Sequence, residues 1–352
     1  MAANAPSSSR RPTTAELSSE LEQFGCDLRG DTILAMEKAS AGRDILGISA
    51  TLLPYQNGKP HWDDFAGHVN RTEEAGLIPA VNMDTGYRNL LTGQTAARVL
   101  QETHSTTGKM HRAILSQKFV AGAFVKDDPG AEFNPDAYVR QMDLVRQHNG
   151  FPVIFQSYGL TGPGDIVGRY EKLAERGGHF YAFELGKQFA PFGEIYDIAT
   201  YKRIMEIDEC MGAKHSSLVR NLELQRLALR DVLRPDFKVF TGNDYAPGMP
   251  RYGSDYLLGL STFHPEAFAA RDRAWAEGDI ARFEDLDGVL AELGNFSFRD
   301  PVPAYKHSAA HALHLQGHIA TNETHPNSAK RPDTEAGDIR KLLDKLERVM
   351  SA

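Results

Sequence analysis

From about residue 45 to about residue 265 the chain alternates short apolar runs with longer runs whose apolar positions recur at helical spacing. That is the pattern of repeated βα units around a parallel sheet. Eight runs read as strands: DILGISATLL, GLIPAVNM, KFVAGAFV, FPVIFQS, HFYAFELG, ECMGAK, FKVFTGN and YLLGLST. Intervening segments such as HWDDFAGHVNRTEEAG, TGQTAARVLQETHS and SLVRNLELQRLALRD read as helices, and Asn134 followed by Pro135 opens another with a capping residue and a first-turn proline. Eight units predict a (β/α)8 TIM barrel over residues 42–264, preceded by an N-terminal tail and leading helix over 1–41. An open doubly wound sheet is the competing architecture, but its Gly-rich phosphate turn is absent. After the eighth run only helical patterns remain, so residues 265–352 are expected to form a C-terminal helical region punctuated by Gly278, Gly294 and Gly317.

Composition narrows the partners. With 352 residues, 41% of them hydrophobic, the chain is long enough for one large domain and an appendage. A formal net charge of −8 argues against nucleic acid or an anionic membrane surface as partner, because phosphate binding needs a clustered basic face. Cys26 and Cys210 form neither a disulfide framework nor a thiolate zinc site, which fits a reducing, cytoplasmic setting. Residues 1 to about 20 are Ser/Pro/Arg-rich and read as a mobile tail. Small-molecule chemistry is the expectation.

In such a barrel the reactive groups sit at the C-terminal ends of strands and in the loops after them. Lys214 lies near the end of the sixth run, where strand alternation places it on one face with Cys210 and Gly212. Burial there disfavours the ammonium, which is what a Schiff-base nucleophile needs; a lysine that snorkels to the rim or pairs with a carboxylate is the alternative. In the fifth run the bulky Tyr181, Phe183 and Leu185 are expected to pack on the outer helices. Glu184 then faces inward as a proton carrier or partner of Lys214, with a salt-bridged barrel residue as the plainer reading. The same parity pairs Gln156 with Tyr158, a second candidate proton carrier. NMDTGYR supplies Asp84, Thr85 and Gly86, and TGNDYAPG supplies Gly242, Asn243 and Asp244. Both turns suit an anion or a polyhydroxylated ligand, and both are also ordinary Asx-type turns. His307, His311, His314 and His318 share one helical face; with no carboxylate in that helix, a buried or interface stripe is expected and no metal.

In their order and spacing these motifs resemble the dihydrodipicolinate synthase and N-acetylneuraminate lyase family of class I aldolases, over roughly residues 42–318. GISATLLPYQNGKPHWDDFAGHVNRTEEAGL is similar to the family's first strand, turn and helix. MDTGY stands where the family has a Gly-Thr-Thr-Gly-Glu type motif, and MGAKHSSLVRNLELQRL where it carries its Schiff-base lysine. FKVFTGNDYA resembles its Ser-Gly-Asp-Asp turn, and DPVPAYKHSAAHALHLQG its C-terminal helix. The resemblance implies a barrel with a C-terminal helical domain, a homo-oligomer (dimer or tetramer), and imine chemistry without a cofactor. It gives Lys214 the imine role and Thr85 with Gly86 the carboxylate-binding turn. The chain departs from the pattern at Asp84, a negative charge where the family has threonine, and on strand five, where the family's proton-relay tyrosine falls at Phe183 or Glu184.

The expected function is a Schiff-base-forming lyase of carbohydrate metabolism, making or breaking a C–C bond of a keto sugar, keto acid or related carbonyl compound. Asp84, Thr85, Gln156 and Asn243 would orient the substrate. A dehydratase using the same imine, a metal-dependent barrel enzyme, and a catalytically silent metabolite-binding barrel are the alternatives.

Overall fold

A computed structural model describes residues 11–352. Its centre is a closed barrel of parallel strands: β1 (Gly47–Ala50), β2 (Ile78–Val81), β3 (Phe119–Ala123), β4 (Gly150–Ile154), β5 (Phe180–Leu185), β6 (Cys210–Ser216), β7 (Lys238–Thr241) and β8 (Asp255–Leu258). Neighbours pair in chain order and β8 closes on β1. Each run expected to be a strand overlaps one of these. The strands are buried on both faces, because helices cover the outside and side chains fill the inside; hence the near-continuous apolar runs.

The helices begin where local chemistry satisfies their first N–H groups. Asn134 accepts from Ala137 N ahead of Pro135, Asp165 from Gly168 N, and Asp197 from Thr200 N. Beyond β8 come the helices Pro265–Glu277, Ile280–Ser297, Tyr305–Leu315 and Glu335–Ser351. Gly278 ends the first of them in a left-handed conformation, φ 76°. Gly294, expected as punctuation, lies inside Ile280–Ser297 instead. A Cβ there would sit 2.0 Å from the Asp244 carbonyl oxygen, so this glycine lets the helix press against the loop after β7.

Part of the segment read as a mobile tail to about residue 20 is helix. Residues 1–10 lie outside the described residues, but Thr14–Glu22 is a helix with a complete capping box between Thr13 and Glu16. Its Leu17 and Leu21 are buried in one cluster with Leu224 and Leu227 of the helix Arg220–Leu233, which is why the segment folds.

The first half of the histidine stripe, His307 and His311, is internal packing, whereas His314 and His318 are exposed. His307 and His311 have ring centroids 4.3 Å apart; His307 Nδ1 accepts from Arg331 N at 2.8 Å, and His311 Nδ1 lies 3.0 Å from Asn322 Nδ2. His318 falls past the helix end. Among the described residues no group of three or more His, Cys, Asp or Glu side chains is placed to hold a metal ion, and no helix is long and apolar enough to cross a membrane.

Candidate active site

Lys214 is level with Phe183 of β5 and Phe240 of β7. Level neighbours in a parallel sheet face the same side, and the Lys214 amine lies 4.6 Å from the Phe183 ring centroid. Gly242, just past β7, makes room for the lysine stem: a Cβ there would come within 2.8 Å of Lys214 Cε and 2.0 Å of Ser216 Oγ. Burial pushes the amine down to about 8, against the opposing pull of Asp244 and then Asp84. Burial likewise pushes the Asp244 carboxyl up to about 7, against Lys214 and the N–H groups of Leu260 and Gly259. Leu260 N donates to Asp244 Oδ1 at 2.7 Å. The amine and the carboxyl thus each favour the other's charged form.

The turn after β2 faces the start of the helix Tyr305–Leu315. Tyr305 Oη donates to Asp84 Oδ2 at 2.9 Å and stands 2.9 Å from Thr85 Oγ1; Lys306 Nζ donates to Asp84 Oδ1 at 3.1 Å. The Tyr305 ring stacks on Phe298 with centroids 4.1 Å apart, which fixes its direction. Gly86 contributes differently from the expectation: its N–H donates to Met83 O at 3.1 Å inside the turn, so it is not aimed at a ligand. Asn82 and Tyr87 bracket the turn with φ of 53° and 60°, a conformation costly for non-glycine residues and characteristic of functional segments.

Strand parity on β4 and β5 is the reverse of the expectation. Phe183 faces the barrel interior with Lys214, and Tyr181 packs there against Phe151 and Phe240 at 4.5 and 4.7 Å between centroids. Gly212, level with Tyr181, is needed for close approach to β7, since a Cβ there would come within 2.5 Å of Lys238 O. Glu184 therefore points outward and cannot serve Lys214. Its oxygens accept from Tyr196 N at 3.0 Å and Arg226 Nη2 at 3.0 Å, and lie 2.7 Å from His215 Nδ1. Burial raises its carboxyl, but Arg226 and His215 prevail and hold it at about 2.

Gln156 points outward too. It donates to Glu194 O and Tyr196 Oη and accepts from Leu185 N and Glu194 N, bracing the loop after β5 rather than a substrate. Tyr158 starts the short helix Tyr158–Thr161, packs on Phe192 with centroids 5.5 Å apart, and lines a cleft of about 500 Å³ with Arg169, Lys187 and Glu194. Phe192 and Phe155 lie between Tyr158 and the Phe183 ring over which the amine sits. Asn243 closes an Asx turn, accepting from Tyr245 N at 3.2 Å.

Of the residues singled out from the sequence, Lys214, Asp84, Thr85, Gly242 and Asp244 fall in one cluster. Tyr305 and Lys306 were missed. They lie more than 200 positions from Asp84, and nothing in their helical spacing marks them as different from core positions.

No family model matches the chain, and no curated protein matches it by sequence. Solved structures do match. A dihydrodipicolinate synthase from Thermotoga maritima superposes with a TM-score of 0.68 at 15% identity, over 87% of this chain and 99% of that one. A sialic acid aldolase from Ruminococcus gnavus gives 0.68 at 12% identity, over 88% and 99%. A dihydrodipicolinate synthase from Acinetobacter baumannii, solved with pyruvate, gives 0.66 at 17% identity, over 87% and 99%. The eight-stranded barrel with its C-terminal helices is thus the fold of the dihydrodipicolinate synthase and sialic acid aldolase family, here in a divergent sequence.

Proposed function

We propose that the chain is a class I lyase in which Lys214 attacks the carbonyl of a hydroxylated ketone or 2-oxo acid and forms an imine. The observation that carries this reading is a buried amine near the C-terminal end of β6, set against the Phe183 ring and held down to about 8 by burial against the pull of Asp244 and Asp84. Phe183 gives the amine an apolar wall, and Asp244, pushed up to about 7, accepts the proton the amine must lose before attack. The iminium then draws electrons from the neighbouring carbon, so a C–C bond breaks or forms, or a β-hydroxyl leaves. Asp84 is paired with Lys306 and Tyr305, so the turn at Thr85 accommodates either a neutral hydroxylated ketone or a 2-oxo acid.

Borohydride reduction tests the reading. Protein incubated with dihydroxyacetone or with pyruvate at pH 8 and then reduced should gain the mass of one secondary-amine adduct with at least one of the two, absent from Lys214→Met. No Lys214-dependent adduct with either probe would overturn it. Phe183 opposite the amine, where a proton-carrying side chain would be useful, favours a second reading, an imine former that binds without turnover. Adduct formation with no exchange of substrate protons would support that one.

A further inference from the structure

The imine needs a group that takes a proton from the substrate, and the residues expected to do so are turned elsewhere. Phe183 has no exchangeable proton, Glu184 is spent on Arg226 and His215, and Tyr158 stands behind Phe192. One phenol is hydrogen-bonded to a carboxylate that acts on the amine: Tyr305 Oη donates to Asp84 Oδ2 at 2.9 Å. Asp84 and Asp244 both pull on Lys214, and the same two carboxylates surround Tyr305. Gly259, at the end of β8, keeps the space between them open: a Cβ there would come within 3.2 Å of both Thr85 Oγ1 and Tyr305 Cε2.

Resting on the imine reading above, we infer that Tyr305 is the proton relay of the Lys214 site, a catalytic residue delivered by the C-terminal helix and aimed by Asp84. Its hydroxyl hydrogen is directed at Asp84 Oδ2 and its oxygen is steadied by Thr85, so a lone pair stays available for an incoming proton. In proton abstraction, the hydrogen on the carbon beside the iminium carbon passes to the Tyr305 oxygen as the tyrosine's own hydrogen passes to Asp84. The C–H electron pair becomes the enamine double bond, and the iminium pair returns to nitrogen. In C–C cleavage the same oxygen takes the proton of the substrate hydroxyl whose carbon becomes the new carbonyl, and the C–C pair forms the enamine. Burial and the two carboxylates hold the phenol well above its ordinary value, so Tyr305 works as a neutral two-proton relay and never needs to be a phenolate. Lys306, on the other Asp84 oxygen, balances the carboxylate and positions it.

The test separates proton transfer from imine formation. Wild type and Tyr305→Phe are given dihydroxyacetone or pyruvate in D2O, with deuterium incorporation beside the carbonyl read by NMR and the adduct read by mass after borohydride. Phenylalanine keeps the stack on Phe298, so the fold and the adduct should survive, while Lys214-dependent exchange falls by about 100-fold or more. Exchange at the wild-type rate in a variant that still forms the adduct would overturn the Tyr305 assignment and leave the imine standing. A wild type without adduct would overturn both.

Discussion

Replacing Lys214 with methionine is expected to remove the adduct and at the same time to stabilise the fold. The fall from the ordinary 10.5 to about 8 means that holding the ammonium costs the folded chain about 3 kcal/mol more than the unfolded one, at about 1.4 kcal/mol per pH unit. Below pH 8 both states carry the proton and the whole cost is present. Between 8 and 10.5 the unfolded chain holds the extra proton, so wild-type stability rises with pH; above 10.5 the cost is gone. Methionine fills a similar volume with no charge, and Asp244, released from Lys214, moves further up and is neutral at pH 7. The variant should therefore be more stable than wild type by about 3 kcal/mol at pH 7 and by less than about half of that at pH 9.5. Urea unfolding at both pH values, read as midpoints at constant slope, measures it. A variant no more stable than wild type at pH 7, or a gain that does not shrink with pH, would refute the reasoning that the site burdens the fold with a desolvated amine.

Three further outcomes follow from the same contacts. Gly242→Ala places a methyl against Lys214 Cε and Ser216 Oγ and should cost about 1–3 kcal/mol in urea while lowering adduct yield at least about tenfold. Asp84→Asn removes a charge that favours the Lys214 ammonium, so the pH profile of adduct formation should shift to lower pH; an unmoved profile would place Asp84 out of reach of the amine. Glu184→Gln leaves Arg226 buried without its carboxylate and should destabilise by about 3 kcal/mol or more at pH 7, yet the folded variant should still form the adduct. Because the wild-type Glu184 carboxyl sits near 2 rather than 4.5, its contribution is complete above about pH 4.5 and is lost as pH falls toward 2, so the two proteins should converge in acid.

The rhythm of the barrel was legible because each βα unit must satisfy its own local rules: an apolar strand, a capped helix, a short turn. Lys214 was legible for the same reason, as a cation in an apolar run at a strand end. Parity on β5 was not, since Phe183 and Glu184 are both fully buried and alternation alone does not say which face is the interior. What decides it is long-range: Arg226, on a helix 42 positions later, supplies the charge that lets Glu184 sit outside, and Phe151 and Phe240 supply the rings that Tyr181 packs on inside. Tyr305 and Lys306 were hidden for a similar reason. They occupy core-like positions of a helix outside the barrel, and only the fold brings that helix to the turn after β2.

The site holds two buried amines, Lys214 beside Asp244 and Lys306 on Asp84, and only the first is placed as a nucleophile. Peptide mapping of the protein reduced with borohydride in the presence of dihydroxyacetone or pyruvate distinguishes them. The adduct is predicted on the peptide that contains Lys214, with Lys306 unmodified. An adduct on Lys306, or one spread over surface lysines with Lys214 untouched, would contradict the imine assignment on which the whole mechanism stands.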